Sequence, residues 1–181
     1  MAILANVLLG VLAGQYAMLA RSEHIWWPYF SADVSTLKSR VPASVRADSE
    51  SFYRQLLKAP PNFDYVIAAF AAIILLSLVG GIVQHPSKRI FNILSLITFG
   101  AAAGVEIVLA RPLLLSFAVK TYRKPDVQAE SLLKLSLYHA ITLGLLIVTI
   151  LLQVSADEQE EERAAKATAA TKKEAKKPKA D

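Results

Sequence analysis

The stretch VIAAFAAIILLSLVGGIV, Val66–Val83, runs for eighteen residues without a charged side chain. A helix rises about 1.5 Å per residue, and a hydrocarbon core about 30 Å thick takes roughly 20 residues to cross, so this block is long enough to span a bilayer. Its apolar residues do not alternate with polar ones, which excludes a barrel strand. Pro60, Pro61 and Asp64 lead into it, and Gln84 and His85 close it.

Three further blocks meet the same test. Met1–Ala20 carries no charge before Arg21, Ile90–Ala110 follows Lys88 and Arg89 and ends at Arg111 and Pro112, and Leu135–Val154 stops at the acidic run opening with Asp157. The expected fold is therefore an all-α membrane protein. It is a bundle of four transmembrane helices (spans about 1–20, 66–83, 90–110 and 135–154) forming a domain over residues 1–154. A long loop follows the first helix, and residues 155–181 form a charged, partly disordered tail. In the 181-residue chain 54% of residues are hydrophobic and 19% are charged, with a mean hydropathy of +0.40, in line with segregation between lipid and water. A cleaved signal peptide is the alternative for the first block. It lacks the basic segment such peptides carry, and its apolar run is of spanning length, so retention is expected.

With both termini cytosolic, one side holds Lys88, Arg89 and seven basic tail residues, and the other holds six from Arg21 to Lys58 and more around Arg123. The count is nearly balanced. The short basic turn from His85 to Arg89 favours a cytosolic turn and cytosolic termini. After the first span, His24, Ile25, Trp26, Trp27, Pro28, Tyr29 and Phe30 read as an interfacial aromatic belt; the interleaved cations of a nucleic-acid stacking surface are missing. Asp48 or Ser49 is expected to cap a short surface helix reaching Lys58, with Phe52, Tyr53 and Leu56 on its apolar face and Arg54 and Lys58 in water. The tail has an acidic run, an alanine-rich stretch and a lysine-rich end. Nothing in it after Val154 is apolar and larger than alanine, so it buries no core, and a few further helical turns are expected.

Chemistry-bearing motifs are scarce. There is no cysteine, and His24, His85 and His139 fall in separate segments without metal-ligand spacing, so no cofactor and no enzymatic activity are expected. What stands out is small. Gly10 and Gly14, and Gly100 and Gly104, are spaced four apart and lie on one face of the first and third spans. Lipid provides no hydrophobic force between helices, so such faces serve close helix approach, either within the bundle or to a client helix. Glu106 is the one carboxylate inside these spans. Three readings stand beside it: an interfacial residue or partner of Arg111, a polar hook for a partner helix, or part of an ion or proton pathway. His139 and Gln153 lie near the two ends of the fourth span and are ambiguous in the same way. Lys177 and Lys179, fifth and third from the end, resemble a dilysine retrieval signal, a receptor-read address.

Several local stretches share an order. Phe52-Tyr53-Arg54-Gln55-Leu56-Leu57-Lys58-Ala59-Pro60 precedes the second span, Leu78-Val79-Gly80-Gly81 closes it, and Pro86-Ser87-Lys88-Arg89 turns into Ile90-Phe91-Asn92-Ile93-Leu94-Ser95-Leu96. Gln153 then leads into Glu160-Glu161-Glu162-Arg163-Ala164-Ala165 and the lysine-rich end. In this the chain resembles the fungal endoplasmic-reticulum chaperones that package amino-acid permeases for export, the Shr family; His24–Phe30 and the short tail depart from the family's pattern. The resemblance implies residence in the endoplasmic-reticulum membrane, cytosolic termini, polytopic permeases as clients, and contact between the tail and vesicle-coat components. Two other functions remain open on the residues alone: a small transporter or channel subunit using Glu106, and a structural assembly factor of a membrane complex.

Overall fold

The structure, a computed structural model, describes residues 2–33, 36–60, 62–119 and 124–175. Helix α1 (Ala2–Glu23) passes into a 3-10 turn at His24–Tyr29, and two short helices follow, α2 (Leu37–Arg40) and α3 (Ala43–Leu56). Helix α4 (Asn62–Gln84) is 23 residues long, about 35 Å. It stops because Pro86 holds His85 extended, at φ −123° and ψ 82°. A 3-10 turn at Pro86–Lys88 then leads into α5 (Arg89–Gly104).

The third span does not end at Arg111. It continues from α5 through a π turn at Val105–Ala110 into α6 (Arg111–Val119). Pro112 has no N–H, and in a regular helix its ring crowds the carbonyl four residues back. The π turn immediately before it widens the coil, and the Arg111 N–H bonds the Glu106 carbonyl five residues earlier, so the helix absorbs the proline instead of breaking. Helix α7 (Pro125–Ala175) has 51 residues, roughly 77 Å, and carries the fourth span into the tail. The tail helix thus reaches well beyond a few turns, through a stretch of alanine, glutamate and lysine that favours helix even without packing.

Four helices are long and apolar enough to cross a membrane, and among the described residues there is no strand. They close into a ring in which α1 packs on α7 and α4, α4 on α5, and α5 on α7. Leu8, Leu9, Leu12, Ile74, Leu78, Phe99, Ala102 and Leu146 form the core between them. The outward surface is apolar as well: Met18, Leu76, Val83, Ile97 and Val108 are each more than 60% exposed. In water that surface would drive aggregation; in lipid it is the solvated face.

Polar contacts pin both ends of the ring. At the tail end Lys88 lies 2.6 Å from Asp157 and also pairs with Glu160, while Asn6 Nδ2 donates to Asp157 at 3.4 Å. The start of α1, the α4–α5 turn and the beginning of the tail therefore share one end. Just inside, Gln153 Nε2 donates to Ser95 Oγ at 2.8 Å and to Asn92 Oδ1 at 3.2 Å, and Thr98 and Thr149 hydroxyls meet at 2.8 Å. Gln153, ambiguous in sequence, is thus a bridge between α7 and α5.

At the other end, residues 24–33 and 36–60 fold back over the bundle. Trp26, Leu37, Val41 and Tyr53 bury against Leu114, Phe117 and Leu132. Trp26 is only 1% exposed and belongs to this core, whereas Trp27, at 48%, is the ring left for the interface. Helix α3 starts earlier than expected, at Ala43, because Pro42 at φ −56° and ψ 146° sets the first turn. Ser49 consequently sits mid-helix, where its hydroxyl accepts the Trp26 Nε1–H at 3.1 Å. Arg54 pairs with Glu50 at 2.6 Å rather than standing alone in water.

Gly81 is the glycine this packing requires. A Cβ there would come within 2.7 Å of Asn92 Nδ2, and Asn92 is buried and held by Gln153. Gly81→Ala should therefore destabilise the protein by about 1–3 kcal/mol, the usual cost of overpacking. Unfolding of the purified protein in mixed micelles measures it; Gly80→Ala, where an added Cβ meets nothing within 4 Å, is the control and should stabilise by up to about 1 kcal/mol through helix propensity.

Candidate functional site

The glycine faces read from the sequence are open. An added Cβ at Gly10, Gly14, Gly100 or Gly104 meets nothing within 4 Å. Among the described residues no helix of the bundle packs on these glycines, because α1 turns Leu8, Leu9 and Leu12 inward and α5 turns Asn92, Ser95, Phe99 and Ala102 inward. Around Gly100 and Gly104 the exposed neighbours are Ile97, Ala101, Ile107 and Val108. The result is an outward apolar strip in which the two glycines are flanked by the exposed Ile97, Ile107 and Val108 side chains.

Glu106 sits at the edge of that strip, in the π turn. Arg111 makes its direct ion pair with Asp64, with Nη1 2.9 Å from Oδ1 and Nη2 on Oδ2, tying α6 to the start of α4, and attracts Glu106 only from a distance. The Glu106 carboxyl instead interacts with the Tyr16 hydroxyl on α1. Its Oε2 is buried and has no hydrogen-bond partner among the described residues. Lys177 and Lys179 lie outside the described residues.

Behind Tyr16 lies a cluster that the sequence reading did not assemble. The Tyr16 ring meets His139 edge-on, centroids 6.0 Å apart, and His139 Nδ1 lies 2.6 Å from Glu23 Oε1. The Tyr53 hydroxyl donates to the same oxygen, and Ser136 Oγ donates to the Glu23 carbonyl at 3.4 Å. Glu23, Tyr53 and His139 are each no more than 2% exposed. The end of α1, the middle of α3 and the fourth span are thus joined through one carboxylate. Burial first, and then the Glu23 carboxylate, push the Tyr53 hydroxyl well above its ordinary range, so it remains a donor under all working conditions. Tyr53 also stacks on Phe117, centroids 5.7 Å apart, and Gln128 Nε2 donates to Glu50 Oε2 at 2.5 Å, so α3 is clasped on two sides. The available signal was a carboxylate one turn past the first span and a histidine inside the fourth; their pairing across 116 positions could not be read from spacing.

The polar line Glu106, Tyr16, His139, Glu23, Tyr53 does not traverse the bundle. Toward the tail end the interior closes with Leu9, Leu12, Ile74, Leu78 and Phe99. What the arrangement offers is a rigid loop end and an outward glycine face with a carboxylate turned inward beside it, toward Tyr16.

Against known proteins, the chain matches the model of the SHR3 chaperone family, described as ER membrane protein SH3, over residues 24–181. No curated protein and no solved structure matches it.

Removing one partner from the buried pair tests its weight. His139→Leu leaves Glu23 desolvated with only Tyr53, and should cost about 3–5 kcal/mol in micelle unfolding. The double variant Glu23→Leu/His139→Leu should cost clearly less than the sum of the single changes; additive costs would show that the two side chains do not interact.

Proposed function

The chain belongs to the SHR3 chaperone family of endoplasmic-reticulum membrane proteins, and on that premise we propose that it shields newly inserted spans of polytopic amino-acid permeases until they are packaged into export vesicles. The work is non-enzymatic. Glycine faces on α1 and α5 let a client helix approach closely, and Glu106 offers a polar contact to an unassembled span. Binding is transient because small-residue packing and one polar contact contribute little each, so a client that has found its own partners is released. Both termini face the cytosol in this reading, where the tail helix contacts the vesicle coat and Lys177 and Lys179 act as a retrieval address.

The observation that carries the proposal is the open strip at Gly100 and Gly104. Small residues that packed the bundle itself would have neighbours; these have none within 4 Å. Beside it the Glu106 carboxyl contacts Tyr16 and keeps a buried Oε2 without a hydrogen-bond partner among the described residues, a group a client reaches once the side chain turns outward. A transporter subunit built on Glu106 is the second reading, favoured by the line from Glu106 to Glu23 and opposed by the apolar closure beyond it.

Gly100→Leu/Gly104→Leu separates folding from function. Both side chains enter open space, and leucine is the better helix former by close to about 1 kcal/mol per site, so the purified variant should melt at or above the parent's temperature. Surface delivery of amino-acid permeases should nevertheless fall several-fold, with the permeases retained in the endoplasmic reticulum. Normal delivery in a stable, correctly localised variant would sink the proposal. Flux through the reconstituted protein that disappears with Glu106→Gln would favour the transporter instead.

A further inference from the structure

Arg111 stands between two carboxylates. Its guanidinium is paired with Asp64 at the start of α4, Nη1 2.9 Å from Oδ1, and its charge also acts from a distance on Glu106 and on Tyr16. The π turn creates that second relationship. Around a regular helix of 3.6 residues per turn, side chains five positions apart point about 140° away from one another. Here the Arg111 N–H bonds the Glu106 carbonyl, so the coil is widened by one residue and position 111 lies over position 106. Both side chains therefore leave the third span on one face.

The two carboxylates compete for this cation on nearly even terms. The pair with Asp64 is open to water, with the Arg111 side chain 40% exposed and that of Asp64 50%. Water solvates the separated charges almost as well, so such a pair holds weakly. Glu106 offers an Oε2 that is buried and has no hydrogen-bond partner among the described residues. Attraction there is stronger, but the guanidinium loses part of its hydration to reach it, and the Tyr16 hydroxyl already contacts the carboxyl. The outer pair also bridges elements that share little packing. Helix α4 packs on α1 and α5, whereas α6 packs on α3, α7 and the π turn.

We propose that Arg111 is a two-position latch. On Asp64 it straps α6 to α4 and leaves the Glu106 carboxyl free to turn outward. Off Asp64 it moves onto Glu106 Oε2 and pins that carboxyl inside the bundle. The consequence for clients rests on Glu106 being a client contact, as proposed above; the exchange itself does not.

Thermal unfolding reads the exchange. The full chain, purified in micelles at low ionic strength, is melted as the parent, Glu106→Gln, Arg111→Gln and the double variant, and then as the same four with Asp64→Asn added. With Asp64 in place the two changes should shift the melting temperature almost additively. With Asp64→Asn, Arg111 moves to Glu106, and the departure from additivity should grow by about 2–4 °C, the size of one ion pair in a chain of this length. Additive shifts in both backgrounds, or an equal departure in both, overturn the latch. Should Asp64→Asn not fold, salt replaces it, because screening weakens the exposed pair more than the buried one. The parent and Glu106→Gln should then draw apart by a similar margin between about 0.01 M and about 1 M sodium chloride; a constant difference overturns the latch.

Permease delivery reads the consequence. Asp64→Asn should lower it about threefold, the scale of one exposed ion pair, and Asp64→Asn/Arg111→Gln should restore it. Thermal exchange with unchanged delivery would leave the latch standing and count against Glu106 as a client contact. Impaired delivery in Gly100→Leu/Gly104→Leu without thermal exchange would overturn the latch and leave the client reading standing.

Discussion

A peptide group in hydrocarbon has no water to bond, so each N–H and C=O in a spanning segment must find its partner within the segment. The rest of the architecture follows from how four helices accommodate that demand. It explains why α4 ends only where His85 meets Pro86, outside the apolar block. It also explains why the third span meets Pro112 with a π turn and carries on, instead of breaking and exposing carbonyls to lipid.

Once the backbones are satisfied, lipid gives little reason for one helix to prefer another, and side-chain polarity takes over. The molecule concentrates those contacts in two places. At the tail end Lys88, Asp157 and Glu160 join the α4–α5 turn to α7, with Gln153, Asn92 and Ser95 just inside. At the loop end Glu23 holds α1, α3 and α7 together through His139 and Tyr53. Between these two belts the packing is mainly leucine, isoleucine and phenylalanine, with Thr142 and Ser77 as isolated polar groups, so the belts set its register. Membrane-embedded hydrogen bonds contribute only about 0.6 kcal/mol each on average; grouped and buried, as here, they act as units rather than singly.

With both ends pinned, the outward faces are free to be something other than packing surface. The open space at Gly100 and Gly104 requires no support from adjacent helices because α5 is held from its opposite side through Asn92, Ser95 and Phe99. The proposed function draws on that division: a stable bundle that leaves a glycine face uncovered. Residues 24–60 serve the same division of labour, since their burial of Trp26, Leu37 and Tyr53 turns a long connection into a fixed cap.

The apolar blocks determined by themselves that four helices are long and apolar enough to cross a membrane, because span length and hydropathy are local properties of about 20 residues. The order of short stretches from Phe52 to Ala165 was likewise enough to point to the family. Sequence also marked Gly100, Gly104 and Glu106, yet not which way they face, since a glycine pair four apart reads the same whether covered or open. Only the tertiary structure decided that Gly81 is the packed glycine, that Arg111 belongs to Asp64, and that Glu23 belongs to His139 and Tyr53. These pairings depend on helix rotation and on the fold-back of residues 24–60, and both are set by contacts between segments far apart in the chain.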